Sequence, residues 1–184
     1  MAEKDIVVFV EEASALEIVR AVSSKLGLAA RVKILKHQGA DDLKKSMANK
    51  IMSDPFESSK FMVLCDADGK DCKALKRELM EKVPQNRRAR TLVRIVCQEL
   101  EAWYLAQPEA LSRAGALAKP IPHSVRSKSA DAITNPKRTF RRYAHEKGQI
   151  EHARRIGPEL ETDNARSQSF QQFITALQRL AKLK

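Results

Sequence analysis

Acidic residues follow directly after three strongly apolar segments of this chain. They are Glu11 and Glu12 after residues 6–10, Asp66 and Asp68 after residues 61–65, and Glu99 and Glu101 after residues 92–97. Carboxylates that lie close together repel one another, and a divalent cation between them relieves that repulsion. Ligand sets made only of oxygen atoms suit Mg²⁺ or Mn²⁺. If three strand ends meet at one edge, the chain has the ligands for such an ion.

The segment Asp66-Ala67-Asp68-Gly69 is the strongest of these signals. Two carboxylates spaced by one residue at a strand end can turn toward the same cation, and Glu11 adds a third carboxylate if its strand is adjacent. The alternative is a simple turn, in which Asp66 caps the strand and Asp68-Gly69 completes the reversal. Glu12 is open to the same alternative, as a residue that faces solvent beside Glu11.

Glu99 and Glu101 lie in a segment, 98–106, that is predicted to turn helical. Residues two apart on a helix face different directions, so one of the two reaches the site and the other is solvated. Trp103 and Tyr104 follow closely, and we expect them to be packing residues, because large aromatic side chains usually bury their area.

Positive charge is the second feature of the chain. The net charge is +11 with a sequence pI of about 9.8, a balance typical of proteins that meet nucleic acid. Residues 119–155 hold ten Lys or Arg against three acids. Within them, Lys137, Arg138, Arg141 and Arg142 have the spacing to hold phosphates, although a solvated basic face that docks an acidic partner fits the charge as well.

Composition excludes several other classes. The three cysteines are odd in number and lack metal-binding spacing, which fits a reducing cytoplasm and neither a disulfide scaffold nor a zinc site. The charged residues 1–5 do not have the pattern of a signal peptide, and no apolar run approaches the roughly 18 residues of a membrane span. We therefore expect a cytoplasmic protein that does not enter the membrane.

The order of predicted elements is β-α-β-α-β-α-β. The strands are 5–11, 31–35, 61–65 and 91–97, and the first helix is predicted to start with a capping box of Ser14 and Glu17. This alternation predicts an α/β fold with a mostly parallel sheet and flanking helices. We expect the core at 1–107 and a helical, basic extension at 108–184 packed on it, with a helix from Pro136 to about Lys147 and a last helix whose apolar face includes Phe170 and Phe173.

These residues resemble a Toprim domain, the Rossmann-like metal-binding fold of topoisomerases, primases and OLD-type nucleases, in which a glutamate follows the first strand and a D-x-D follows a later one. More closely, the chain resembles a family of small bacterial Toprim-like proteins classed as a domain of unknown function. The motifs that carry this likeness are Glu11-Glu12-Ala13-Ser14, Asp66-Ala67-Asp68-Gly69, Glu101-Ala102-Trp103-Tyr104-Leu105-Ala106, Pro136-Lys137 and Ser169-Phe170. Glu12 stands where that family usually has glycine.

The resemblance implies a Mg²⁺- or Mn²⁺-dependent nuclease. Glu11, Asp66, Asp68 and Glu101 would hold one or two ions, Lys137 would neutralise charge on the phosphate, and Arg138, Arg141 and Arg142 would bind the nucleic acid, DNA or RNA. It also implies an ABC-type or AAA-type ATPase partner in phage defence.

Two other functions stay open at this point. One is a non-catalytic module that binds nucleic acid or an acidic ATPase surface through its basic half. The other is a receiver-like phosphoacceptor, which the second aspartate, the basic charge and the missing late strand with its lysine argue against.

Overall fold

A parallel sheet forms the centre of the protein. The computed structural model describes residues 4–163 and 166–183; residues 1–3, on which part of the signal-peptide prediction rests, lie outside them. Over the described residues the strands are β1 (Ile6–Val10), β2 (Val32–Lys36), β3 (Lys60–Asp66) and β4 (Thr91–Val96). Their order is β2-β1-β3-β4, and every pair is parallel. The predicted α/β fold with a parallel sheet is confirmed.

Helices connect these strands and continue after the last one. In chain order they are α1 (Ala13–Lys25), α2 (Ala40–Met52), α3 (Cys72–Lys82), α4 (Glu101–Leu105), α5 (Pro108–Arg113), α6 (His123–Arg126), α7 (Pro136–Arg141), α8 (Gln149–Ile156) and α9 (Gln168–Lys182). Short 3-10 turns at Gln85–Arg90, Ala130–Ala132 and Gly157–Glu159 complete the described part of the chain.

Both faces of the central strands β1 and β3 are buried, which explains the unbroken apolar runs of these two strands. Alternate residues of β1 point to opposite sides: Val8 belongs to the cluster formed with α1 and α9, and Phe9 belongs to the cluster formed with α2 and α3. Because the side chains of a strand alternate, a central strand covered on both faces needs an apolar residue at every position.

The C-terminal helices share the larger of these two clusters with the sheet. On α9, the predicted apolar face is buried, including Phe170 and Phe173. Gly157 lies so close to α1 that a Cβ there would be 2.9 Å from the Cβ of Ala21. The extension therefore packs on the α/β part, while its division from the core at residue 107 stays a prediction. In the described ranges, no helix is both long and apolar enough to cross a membrane.

Three local predictions were wrong in their details. Helix α1 begins at Ala13 without a side-chain cap, and Glu17 pairs with Arg20 and Arg154 instead of closing a capping box. The helix that starts at Pro136 ends at Arg141, six residues before the expected end. The segment after β4 becomes helical only at Glu101, and this late start decides where Glu99 lies.

Candidate functional site

The carboxylates gather where the sheet changes direction. The chain leaves β1 to form β2 on one side and returns to form β3 on the other. In open α/β sheets, ligands bind outside the carboxyl ends of the strands at such a switch point. Glu11 follows β1 and Asp66 ends β3, and the Asp66 N–H donates to Glu11 Oε2 at 2.9 Å. Adjacent strands thus bring these two acidic residues together, as their spacing predicted.

Backbone hydrogen bonds tie the loop after β3 to the end of β4 and the residues that follow it. Ala67 N–H donates to Val96 O and Asp68 N–H donates to Gln98 O, each at 3.0 Å. Asp68 has the left-handed backbone angle φ 47° and Gly69 has φ 79°, conformations that aspartate tolerates and glycine adopts freely. Lys70 N–H donates to Ala67 O at 2.9 Å, so Asp68 and Gly69 form the predicted turn, and this turn leaves the Asp68 side chain exposed.

A second strained residue, Gln98 with φ 68°, redirects the chain after β4. A left-handed glutamine is uncommon and persists only where its surroundings hold it. The turn lets Leu100 N–H donate to Asp66 Oδ2 at 3.2 Å. It also places Glu99 before helix α4, where Glu99 Oε2 accepts from the backbone N–H of Lys137 at 3.0 Å.

Glu101 occupies the first turn of α4 and is only 6% exposed. Gln149 Nε2 donates to its Oε1 at 3.3 Å. The third non-glycine residue with a left-handed backbone in the described ranges, Asn135 with φ 52°, directly precedes α7 and Lys137. All three such residues therefore lie in the loops that build this site, a distribution typical of functional sites.

These loops enclose one small acidic cavity of about 130 Å³. The described residues that line it are Glu11, Glu12, Asp66, Asp68, Glu99, Glu101 and Lys137. The structure thus brings together all four carboxylates assigned to the site and Lys137. The expectation that only one of Glu99 and Glu101 reaches the site was wrong, because Glu99 precedes the helix and the two-residue helical spacing does not apply. Glu12 lies in the same lining, and Ser14 Oγ donates to its Oε1.

Burial and mutual repulsion dominate the electrostatics of the cavity. Removal from water raises the pKa of Asp66 well above its usual value, and the charges of Glu11 and Glu12 raise it further. Burial also raises the pKa of Glu101, against the hydrogen bond from Gln149 and the charge of Lys137. The ionised forms of Asp66 and Glu101 are disfavoured without a nearby positive charge, so a cation that enters the cavity is attracted to them.

The donor set fits a hard divalent cation. Carboxylate oxygens are the ligands that Mg²⁺ and Mn²⁺ take. Among the described residues of the lining, only Lys137 adds positive charge. Among residues 4–163 and 166–183, no three His, Cys, Asp or Glu side chains form a compact group that could hold an ion. Several carboxylates instead bind backbone N–H groups, so they would have to reorient to share one.

The basic residues assigned to nucleic acid lie on and just after α7. Arg138, Arg141 and Arg142 are exposed, while Lys137 is half-buried beside the acidic cavity. Within the described ranges, the side chains of these four residues form no ion pair. They are therefore available to phosphates. Trp103 is fully buried, and its Nε1–H donates to Ser169 Oγ at 2.8 Å, which confirms its packing role.

The fold and the cavity define a class of protein: an α/β domain with an acidic cavity at the switch point of a parallel sheet. The chain belongs to the family described as "Domain of unknown function (DUF4276)", which matches residues 9–178. No curated protein matches the sequence. Among solved structures, the chain is similar to the C-terminal region of the Burkholderia pseudomallei OLD protein, with 12% identity and a TM-score of 0.53. The likeness covers 95% of this chain and 98% of that one, and at this identity it shows a shared fold.

Proposed function

We propose that this chain is a Mg²⁺- or Mn²⁺-dependent nuclease of the Toprim type that hydrolyses nucleic-acid phosphodiesters. The observation that carries the proposal is the convergence of Glu11, Asp66, Asp68 and Glu101 on one cavity that also contains Lys137 in its lining. The exposed arginines of and after α7 follow Lys137 in the chain. The negatively charged phosphodiesters of a nucleic acid would be repelled by such a cluster of carboxylates unless positive charge lay between them. A bound divalent ion supplies that charge.

The four carboxylates would hold one or two ions. Such ions, when bound, activate water and stabilise the leaving oxygen of a phosphodiester. Asp66 is kept in place by the N–H of Leu100, and its own N–H in turn fixes Glu11. This mutual support orients the two carboxylates that flank the switch point.

Lys137 would act on the phosphate. Its backbone N–H binds Glu99, which anchors the start of α7 at the edge of the acidic cavity and keeps the side chain in the cavity lining. An ammonium group there stabilises negative charge that develops on the phosphoryl oxygens. Arg138, Arg141 and Arg142 follow on the exposed side and would bind neighbouring phosphates.

The Toprim assignment and the partner belong to the same proposal. The glutamate after β1 and the D-x-D after β3 support a Toprim relation, and the fold shared with the C-terminal region of an OLD protein is consistent with it. We propose that an ABC-type or AAA-type ATPase controls the nuclease in anti-phage defence. This part of the proposal rests on the family resemblance.

The decisive experiment is a cleavage assay with plasmid DNA, single-stranded DNA and total RNA, each with Mg²⁺, Mn²⁺ or EDTA. Asp66→Asn and Asp68→Asn remove one charge each and keep the side-chain shape. We expect metal-dependent cleavage that falls at least about 100-fold in either variant, since even the outer partners of metal ligands are worth about 10- to 100-fold.

Asp71→Asn is the matched control. Asp71 lies in the same loop region but outside the cavity, where its side chain accepts from Ala74 N–H and caps α3. Asparagine caps a helix as well as aspartate does, so this variant should cleave like the wild type. Cleavage retained in Asp66→Asn, with metal still required, would exclude the assigned site. If the isolated chain is inactive, the same series is repeated with the proposed ATPase partner added.

A second function is favoured by one observation. No compact three-ligand group is present in the described ranges, as expected if the acidic residues are structural and the protein binds nucleic acid without cutting it. In that case affinity should fall steeply with salt and should not change between EDTA and Mg²⁺. A metal-dependent change in the melting temperature that is lost in Asp66→Asn would argue against this function.

A further inference from the structure

A second, larger cavity lies next to the acidic one. It has a volume of about 530 Å³, within the range of small-ligand sites. Helices α4, α7 and α8 and the loop 142–148 form its walls. The loop is held by an isolated bridge between Leu117 and Ala144 and by Ala118 N–H, which donates to Tyr143 O at 2.8 Å.

The two cavities share a wall. Glu101 lines both. Ser14 lines the larger cavity, and its hydroxyl donates to Glu12, which lines the acidic one. A ligand in the larger cavity would therefore lie directly beside the carboxylates proposed to hold the metal.

Aromatic rings form one side of the larger cavity. The ring of Phe140 meets Tyr104 edge to face at 5.5 Å and meets His152 edge to face at 5.0 Å between centroids. All three residues line the cavity and are at most 5% exposed. These rings give the cavity an aromatic wall that a flat aromatic ligand can contact.

Two polar atoms in this wall are buried without any hydrogen-bond partner among the described residues. They are the hydroxyl of Tyr104 and Nδ1 of His152. The other ring nitrogen of His152, Nε2, lies 3.1 Å from the carbonyl oxygen of His145. Since a carbonyl only accepts, the proton is on Nε2, and burial keeps the ring neutral by lowering the pKa of His152.

Nδ1 of His152 is therefore an acceptor, and the Tyr104 hydroxyl can donate or accept. A buried polar atom without a partner costs about 1–3 kcal/mol, so a ligand that offers both a donor and an acceptor is preferred over a purely apolar one. Nucleobases have this chemistry: a flat ring with donors and acceptors along its edge.

Two cationic side chains among the described residues line the same cavity. Arg141 lines it, is exposed, and forms no ion pair in the part of the chain that the structure describes. Lys147, the other cation of the lining, is paired with Glu151. Arg141 is thus placed to bind the phosphate of a nucleotide whose base enters the cavity.

We propose that this cavity binds one unstacked nucleobase of a single-stranded nucleic acid and so positions the adjacent phosphodiester at the acidic cavity. A base paired and stacked in a duplex cannot enter such a pocket without being extruded. The inference rests on the proposed nuclease function, and it narrows the substrate to single strands or unpaired regions.

Calorimetric titration with the four ribonucleoside and four deoxyribonucleoside 5′-monophosphates tests this directly. EDTA is present, so no cleavage is needed for a signal. Ribose 5-phosphate serves as the comparison, because it has the sugar and phosphate without the base. We expect at least one nucleotide to bind at or below about 1 mM and ribose 5-phosphate to bind at least about tenfold more weakly.

Tyr104→Phe removes only the unpartnered hydroxyl. It should weaken nucleotide binding about 5- to 30-fold, the loss of one hydrogen bond to a buried group, without lowering the melting temperature. Tyr143→Phe is the matched control, since Tyr143 lies nearby but outside the cavity lining. This control should bind nucleotides like the wild type.

Several outcomes would overturn the inference. They are equal binding of ribose 5-phosphate, no nucleotide binding at about 1 mM, and unchanged nucleotide binding in Tyr104→Phe. If single strands are cleaved but no nucleotide binds, the base pocket is rejected and the nuclease stands. If nucleotides bind as expected but no substrate is cut with metal and partner, the pocket stands and the nuclease is rejected.

Discussion

Replacing Asp66 by asparagine should stabilise the metal-free protein, although it removes a residue central to the proposed function. The Asp66 carboxylate is partly removed from water, and the charges of Glu11 and Glu12 act against it. Asparagine keeps the side-chain oxygen that can accept from Leu100 N–H. The variant therefore loses the repulsion and keeps the hydrogen bond.

The size of the effect follows from the contact between Glu11 and Asp66. Glu11 Oε2 lies 2.9 Å from the backbone nitrogen of Asp66, so the two carboxylates are close neighbours. Two like charges about 5 Å apart repel each other by about 3 kcal/mol at an effective dielectric constant of about 20. Solvent, salt and partial protonation of Asp66 reduce this value. We expect about 2 kcal/mol, which raises the melting temperature of a chain this size by about 4–8 °C.

The effect has a defined pH dependence. Because the folded-state pKa of Asp66 is raised, the contribution of Asp66 to the stability of the wild type is fully present below the ordinary carboxyl pKa of about 3.9 and is lost as the pH rises through the folded-state pKa. The advantage of Asp66→Asn should therefore be present at pH 7 and vanish near pH 4. Differential scanning calorimetry in EDTA across this range measures it.

Added Mg²⁺ or Mn²⁺ should reduce or reverse the stability difference between Asp66→Asn and the wild type. An ion at 100 times its dissociation constant stabilises the folded state by about 2.7 kcal/mol, and the variant has lost one ligand. Asp71→Asn again serves as the control, because it makes the same change in net charge outside the cavity. A lower melting temperature of Asp66→Asn in EDTA, or equal stabilisation of both proteins by Mg²⁺ and Mn²⁺, would refute the account of the acidic cavity.

Three further predictions follow from other parts of the molecule. The double variant Arg138→Ala/Arg142→Ala should bind single strands more weakly, and the slope of log affinity against log salt in fluorescence anisotropy should shrink by about 1.4, or about 0.7 for each phosphate contact on a single strand. The hydrogen-bonded ion pair with Arg31 is the largest cause that lowers the pKa of Asp5 to about 2, so this pair stabilises the protein at neutral pH and the contribution is lost as the pH falls from about 4 to 2; urea titrations of Asp5→Asn should lack that part of the acid dependence. Trp103→Ala should cost about 3–5 kcal/mol of unfolding free energy in urea, because the ring is fully buried and packs on Phe173.

Each of these has a clear contrary result. An unchanged salt slope would mean that the cations after α7 do not contact phosphate, and replacement of Lys73 and Lys76 on the exposed side of α3 provides the comparison of equal charge. If the stability of Asp5→Asn falls with acid as much as that of the wild type, carboxylates other than Asp5 cause the loss of stability. A Trp103→Ala protein as stable as the wild type would contradict the packing of α4 on α9.

The secondary structure of the α/β part was readable because local patterns and tertiary contacts agree there. The central strands β1 and β3 are covered on both faces, so their sequences are almost continuously apolar, and the helices place their apolar residues on one face. The cap of α3, in which Asp71 accepts from Ala74 N–H, is likewise a local interaction between residues close in the sequence. The shorter elements after residue 97 were predicted less well, because their ends depend on contacts with distant parts of the chain.

Sequence alone determined that carboxylates follow strands and that parallel strands end at the same edge, which was sufficient to predict that Glu11, Asp66 and Asp68 lie close together. The assignment of Glu101 to the site came from the family resemblance. Tertiary structure alone decided that Glu12 and Glu99 join them. The left-handed turn at Gln98 and the bond from Lys137 N–H to Glu99 position Glu99, and neither has a local sequence signal. The larger cavity was also hidden in the sequence, because Tyr104, Phe140 and His152 come from three helices that meet only when the extension packs on the core.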